Sequence, residues 1–199
     1  MALFKRNGHE VFALVLTRGE GSGDPVAREK ECKRSAKVIG VDKLFFGGLK
    51  DTRIADSIET IMEIEKVVSL LKPDFVFSHS FRDGHQDHRN TGLASLSAAR
   101  NSKKVLLYES PAARRDFCPQ LFVDVSSTFD LKLEALEVFT SQAPKAYFKG
   151  KNHNDNRRKY PYVSTAAEGL ARFRGFQAGV DLAEAFEVGN FLLEIEKNL

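Results

Sequence analysis

The sequence predicts an α/β fold with a mostly parallel sheet and helices on both of its faces. Two patterns carry this reading. Apolar runs of strand length alternate with segments of helical periodicity along the whole chain. The strand-length runs are also continuously apolar, as strands buried on both faces are, instead of alternating with polar residues. Length sets the scale: 199 residues point to one domain spanning residues 1–199, large enough to bury a core without a disulfide or metal staple.

Val11 to Leu16 is the first buried strand. Asp24-Pro25 then opens a helix, with Asp as N-cap and Pro in the first turn, and Gly40 closes it. Leu44 to Phe46 is a short strand ending at Gly47-Gly48. Ile58 to Leu71 repeats apolar residues at helical spacing, with Pro73 just beyond. Phe75 to Phe77 is a strand, Gln86 to Arg100 a small-residue helix, and Val105 to Tyr108 and Leu121 to Val125 are strands. Thr128 to Thr140 and Thr165 to Gly179 read as helices, and Ala185 to Leu193, with mixed signals, as a strand. Lys149 to Tyr160 is polar and reads as a solvated loop, with a lid as the competing reading. Leu3 to Gly8 resembles the last turn of a helix with a Gly cap, so an earlier strand is expected upstream.

Composition excludes several function classes. Thirty Lys and Arg against 27 Asp and Glu leave +3, too mild a surplus to argue for nucleic acid. No apolar run reaches the roughly 20 residues of a membrane span, and the N-terminus lacks a signal-peptide core. Cys32 and Cys118 form no spaced framework and read as packed, reduced thiols, so a cytoplasmic location is expected.

Ligands of parallel α/β sheets sit at the carboxyl ends of the strands. The segment there after Phe77 is Ser78-His79-Ser80-Phe81-Arg82-Asp83-Gly84-His85-Gln86-Asp87-His88-Arg89, which holds three of the five histidines. His85 and His88 share a face of a starting helix, whose positive end disfavours imidazolium and keeps the rings able to coordinate. Asp87 between them could orient one ring. The competing reading is a helix start capped by Asp83 with surface histidines; the clustering at this strand end favours a metal or acid–base site. The Gly-rich stretch Thr17 to Asp24 lacks both the P-loop and the GxGxxG pattern. Its Glu20 and Asp24 would repel phosphate, so a polyol suits it better.

The chain resembles the PIG-L/LmbE-like family of zinc-dependent N-acetylglucosaminyl deacetylases. The residues that carry the likeness are Gly8-His9-Glu10-Val11, Leu16 to Gly21, Arg28 to Glu31, Gly48-Leu49-Lys50-Asp51, and above all Asp83-Gly84-His85-Gln86-Asp87-His88-Arg89. Leu107 to Pro111, Phe122 to Ser126, Ser141-Gln142, Arg174-Gly175 and Ala183 to Glu187 continue it. The resemblance implies a Rossmann-like three-layer α/β/α sandwich and amide hydrolysis, in which zinc-activated water attacks the acetyl carbonyl of an N-acetylated sugar conjugate. It implies His88 as a zinc ligand and His85 as the group that stabilises the oxyanion or protonates the amine. It implies Asp87 as the carboxylate orienting His85, and Arg28, Asp51 and Glu20 near the sugar hydroxyls. The family's His-Pro-Asp-Asp-Glu motif, implied to supply two zinc ligands and the general base, is expected before Leu3. With His88 as the one ligand carried over, the chain as written is expected to bind Zn2+ weakly and to be inactive. Two other readings stay open: a non-catalytic sugar- or nucleotide-binding module, and a different metal hydrolase such as a phosphoesterase. Monomer and homo-oligomer also both stay open.

Overall fold

The computed structural model describes residues 1–21, 23–142 and 161–193; the polar segment Lys149 to Tyr160 lies outside them. The element order is α1 (Ala2–Arg6), β1 (Phe12–Thr17), α2 (Pro25–Ile39), β2 (Lys43–Leu49), α3 (Ile58–Leu71), β3 (Val76–His79) and α4 (Gln86–Ala98). There follow β4 (Lys104–Tyr108), β5 (Leu121–Asp124), α5 (Phe129–Glu137), a 3-10 turn (Thr140–Gln142), α6 (Pro161–Ala178) and β6 (Ala183–Phe191). The chain forms two compact units, Met1–Asp51 with Asp124–Ala183, and Thr52–Val123 with Glu184–Leu199.

In the first unit β1 and β2 pair in parallel, from Phe12 opposite Lys43 to Val15 opposite Phe46. The register slips before Thr17. Gly47 sits at that slip, where a Cβ would stand 3.2 Å from the Leu16 Cα. α2 begins where the sequence places it: the Asp24 carboxylate accepts the amides of Val26 and Ala27, and Gly40 ends the helix at φ 85°. The short α1 is the predicted opening helical turn. α2 packs on α5, and α5 on α6.

The second unit is built on a sheet in the order β3-β4-β6-β5. β3 and β4 run parallel, from Val76 opposite Val105 to His79 opposite Tyr108, and β6 runs antiparallel to β4. Val105, Leu106 and Leu107 are almost fully enclosed, as the continuous apolar run predicts. The mixed signals at Ala185 to Leu193 resolve into β6, whose Ala185 and Phe186 are buried while its far end is exposed. α3 starts with the Ser57 hydroxyl accepting the Thr60 amide, and it packs on α4.

Both cysteines are free, but Cys118 is exposed, not packed as its sequence surroundings predict, because it lies in a loop outside the regular elements. Among the described residues no helix is long and apolar enough to cross a membrane.

Candidate metal and acid–base site

The site grows out of the carboxyl end of β3, as the strand rule predicts. α4 approaches this end closely because one of its faces is built from small residues. His88, Gly92 and Ser95 lie one and two turns apart on that face. A Cβ on Gly92 would stand 2.6 Å from the His79 carbonyl oxygen and 2.9 Å from the Phe81 nitrogen. Three residues on, the Ser78 hydroxyl donates to Ser95 Oγ at 2.8 Å. The close approach brings the His88 ring over His79, stacked with centroids 3.9 Å apart and planes within 11° of parallel. The His85 ring lies 4.8 Å from that of His88.

Asp83 completes the group. It is 2% exposed, and its loop is held by a short antiparallel bridge to Ala113. Gly84 fits there because a Cβ would meet the Ala112 carbonyl at 2.7 Å. The Asp83 carboxylate accepts the His85 amide at 2.7 Å on Oδ1 and the Ser110 hydroxyl on Oδ2. His88 Nδ1 stands 3.2 Å from Asp83 Oδ2. Burial pushes the Asp83 carboxyl up, but the His88 ring, the Ser110 hydroxyl and the His85 amide outweigh it, and the group lies well below the usual carboxylate range. Burial and the neighbouring His88 push His79 down to about 3. His79 is therefore a neutral imidazole at neutral pH, the form that coordinates metals. Tyr108, tilted against His79, is pushed well above the usual phenol range by burial.

The structure therefore brings together a donor set that the sequence reading does not assemble. One ligand atom each from His79, Asp83 and His88 lies within 4.8 Å of the others. His79 is not among the ligands the sequence points to, and Asp83 reads there only as a helix cap. The cap of α4 is instead His85, whose Nδ1 accepts the Asp87 amide at 3.2 Å. The signal available in the sequence is the small-residue face of α4, which fixes how near His88 can come to the end of β3.

Two imidazoles and a carboxylate suit zinc in type and number. The Nδ1 atoms of His79 and His88 are buried without hydrogen-bond partners, as metal-directed nitrogens would be before loading.

The accepting role of His85 Nδ1 leaves the proton of the neutral ring on Nε2, where it can be donated. Asp87 is 6% exposed, and its Oδ2 accepts the Thr52 amide at 2.7 Å. Its other oxygen, Oδ1, is buried and unpartnered. Its contact with His85 thus runs through its backbone, while its carboxylate faces Thr52. A separate cavity of about 370 Å³ on the same loop is lined by Phe81, Arg82, Cys118, Gln120 and Glu187, among others, and includes none of these histidines.

The residues expected near sugar hydroxyls lie in the first unit. Gly21 donates its amide to Asp51 Oδ2 at 3.0 Å, and Asp51 donates its own to Glu20 Oε1 at 2.9 Å, so the loops after β1 and β2 brace each other. That bond from Asp51 is the main reason the Glu20 carboxyl lies below its ordinary value. The Arg28 guanidinium fills the space beside Gly19, where a Cβ would meet its Nε at 2.6 Å. One terminal nitrogen of Arg28 is buried and has no hydrogen-bond partner.

Residues 1–99 match the family model described as PIG-L, GlcNAc-PI de-N-acetylase. The uncharacterized deacetylase YaiS of Escherichia coli (strain K12) is 30% identical over 145 residues, 69% of this chain and 78% of that protein. The chain belongs to the PIG-L family of N-deacetylases. The diacetylchitobiose deacetylase of Thermococcus kodakarensis is 29% identical over 164 residues, which are 70% of this chain and 61% of that longer relative. The crystal structure of a conserved protein from Thermus thermophilus shares the fold, with a TM-score of 0.81 and 24% identity over 98% of this chain and 88% of its own. The PIG-L match ends just past α4, so it contains the whole histidine cluster.

Proposed function

We propose that this PIG-L family member is a zinc-dependent deacetylase that removes the acetyl group from an N-acetylglucosamine-type conjugate, with residues 1–199 acting as one deacetylase domain. The observation that carries the reading is the convergence of His79, Asp83 and His88, beside His85 and Asp87, at the carboxyl end of β3. His88 holds the ion, with His79 and Asp83 as the further donors. When bound, zinc supplies Lewis-acid polarisation and activation of water at neutral pH.

The chain's own residues do the rest. His85, exposed at the head of α4 and free to donate from Nε2, stabilises the developing oxyanion or hands a proton to the leaving amine. Asp87 fixes the first turn from which His85 projects. Arg28, with its unpartnered buried nitrogen, and the carboxylates of Glu20 and Asp51 bind the hydroxyls of a small-molecule sugar conjugate. The relative from Thermococcus kodakarensis, named for a diacetylchitobiose substrate, supports an N-acetylated sugar as the substrate class.

The test measures zinc content and deacetylation of N-acetylglucosamine conjugates together. His88→Ala is expected to lose zinc and turnover. His85→Ala is expected to keep zinc and lose roughly 100-fold or more in kcat, the scale of a lost oxyanion donor. Retention of zinc by His88→Ala together with its loss in His85→Ala would reverse the two roles.

A further inference from the structure

Thr52 holds a backbone conformation that a β-branched residue rarely adopts. Its φ is 63°, and among the described residues only Lys72 is another non-glycine with positive φ. Such a conformation persists where the surroundings over-determine it. Here the first turn of α4 supplies the constraint. The Thr52 amide donates to Asp87 Oδ2 at 2.7 Å, and the Thr52 carbonyl accepts from Gln86 Nε2 at 2.9 Å. One turn further, Asn90 Nδ2 donates to the Ile54 carbonyl at 2.7 Å, and Ile54 is buried at 5% exposure. Three polar side chains of one helix thus grip both ends of the segment from Thr52 to Ile54. The same helix turn carries His85 and His88.

The consequence falls on Asp87. Its carboxylate is nine-tenths buried, so its oxygens are costly to leave without donors. Thr52 takes Oδ2 and leaves Oδ1 as the enclosed acceptor with no partner. In the left-handed turn at Thr52 the amide meets Asp87 while the carbonyl meets Gln86.

We propose that Thr52 is a positioning residue of the site: its backbone amide, held in the left-handed conformation by Gln86, selects which oxygen of Asp87 stays free. The free oxygen stays enclosed in the helix turn that carries His85 and His88. This role rests on the deacetylase reading, and the side chain of Thr52 contributes nothing to it.

The test compares Thr52→Pro, which removes the amide donor and, with φ locked near roughly −65°, the left-handed turn as well, with Thr52→Gly, which keeps the donor and accepts the same φ without strain. Thr52→Pro is expected to lower kcat about tenfold, the scale of a lost supporting contact, with KM and zinc content unchanged. Thr52→Gly is expected to recover most of that loss. Should Thr52→Pro not fold, Gln86→Met, matched in length but without a donor, is expected to lower kcat in the same manner by a smaller factor. Equal kcat for the folded Pro variant and wild type, or failure of Thr52→Gly to recover what Thr52→Pro loses, would overturn the proposal. Amide hydrogen exchange supplies a readout independent of turnover. The Thr52 amide is expected to exchange slowly in wild type and fast in Asp87→Ala. If it exchanges equally fast in both, the positioning role fails whatever the turnover. If it behaves as expected while wild type does not turn over N-acetylglucosamine conjugates, the deacetylase reading fails and the grip on Asp87 stands.

Discussion

Two buried acidic clusters in this chain use the same chemistry to opposite ends. Glu31, on α2 in the first unit, is 3% exposed, and both of its oxygens are occupied. It accepts the Ser141 hydroxyl at 2.6 Å, the Ser141 amide at 2.9 Å and the Thr140 hydroxyl at 3.1 Å. Asp83 and Asp87 in the second unit are buried too, yet their group leaves Asp87 Oδ1 and the Nδ1 atoms of His79 and His88 without hydrogen bonds. Unpaired polar atoms in a folded interior carry a desolvation cost that stable structural clusters avoid. The Glu31 cluster ties α2 to the 3-10 turn and is complete as it stands. The histidine cluster keeps enclosed polar atoms without hydrogen-bond partners, and that contrast, more than burial or charge, distinguishes the two clusters.

The largest expected effect is on the incomplete cluster. His88 is one of only three donors within 4.8 Å of one another among the described residues, so its removal is severe. His88→Ala is expected to abolish measurable zinc binding in calorimetric titration, whereas Glu31→Gln leaves it unchanged. Equal zinc affinity for wild type and His88→Ala would erase the distinction between the two clusters.

Gly92→Ala comes next and sharpens the comparison, because it touches the metal group without touching a donor. Its added Cβ would meet backbone atoms at 2.6 and 2.9 Å, which cannot swing aside as a flexible side chain could. A loss of about 1–3 kcal/mol in urea unfolding is expected, the scale of overpacking. Zinc affinity is expected to fall with it, since α4 must retreat from His79. Undiminished stability would show that the approach of α4 is looser than the backbone contact implies.

The comparison also bears on how much of the molecule can be read from its residues. Asp24-Pro25 and Gly40 mark the ends of α2 through local chemistry, and the run at Val105 to Leu107 announces a buried strand; both are legible because caps and periodicity act over a few residues. His85 and His88 are legible because they share one helix turn. His79 and Asp83 are not, because their membership depends on how near α4 lies to β3, a distance set by the absent side chain of Gly92. The capping role of His85 escapes the sequence for a different reason: Asp and Ser are the expected caps, and the imidazole does the same work through Nδ1. Asp51 and Glu20 read as substrate groups from the resemblance alone. Their mutual amide bonds, across 31 residues of sequence, have no local signal.

The smallest expected effect concerns the complete cluster and its pH dependence. Burial alone would push the Glu31 carboxyl up, but the bonds from Ser141 and Thr140, together with the nearby charge of Arg28, outweigh it and hold the group below its ordinary value. A carboxyl held low in the folded state binds its proton less readily than it does in the unfolded chain. Its contribution to stability is therefore full above the unfolded value, about 4.3 for Glu, and is lost as the pH falls through the folded value. Glu31→Gln keeps the shape, removes the charge and turns one acceptor into a donor that faces either the Ser141 hydroxyl or the Ser141 amide with the Thr140 hydroxyl. It is expected to cost about 1–3 kcal/mol at pH 7, the scale of a hydrogen-bonded charge that loses its acceptors. The gap between wild type and Glu31→Gln is then expected to narrow steadily as the pH falls below the unfolded value, because wild-type Glu31 becomes neutral as well. Urea unfolding of both proteins from pH 7 down to the acid limit of the folded state measures this directly. A gap that stays constant over that range would mean the cost of the substitution is steric, and that the charge of Glu31 does not hold α2 to the turn at Ser141.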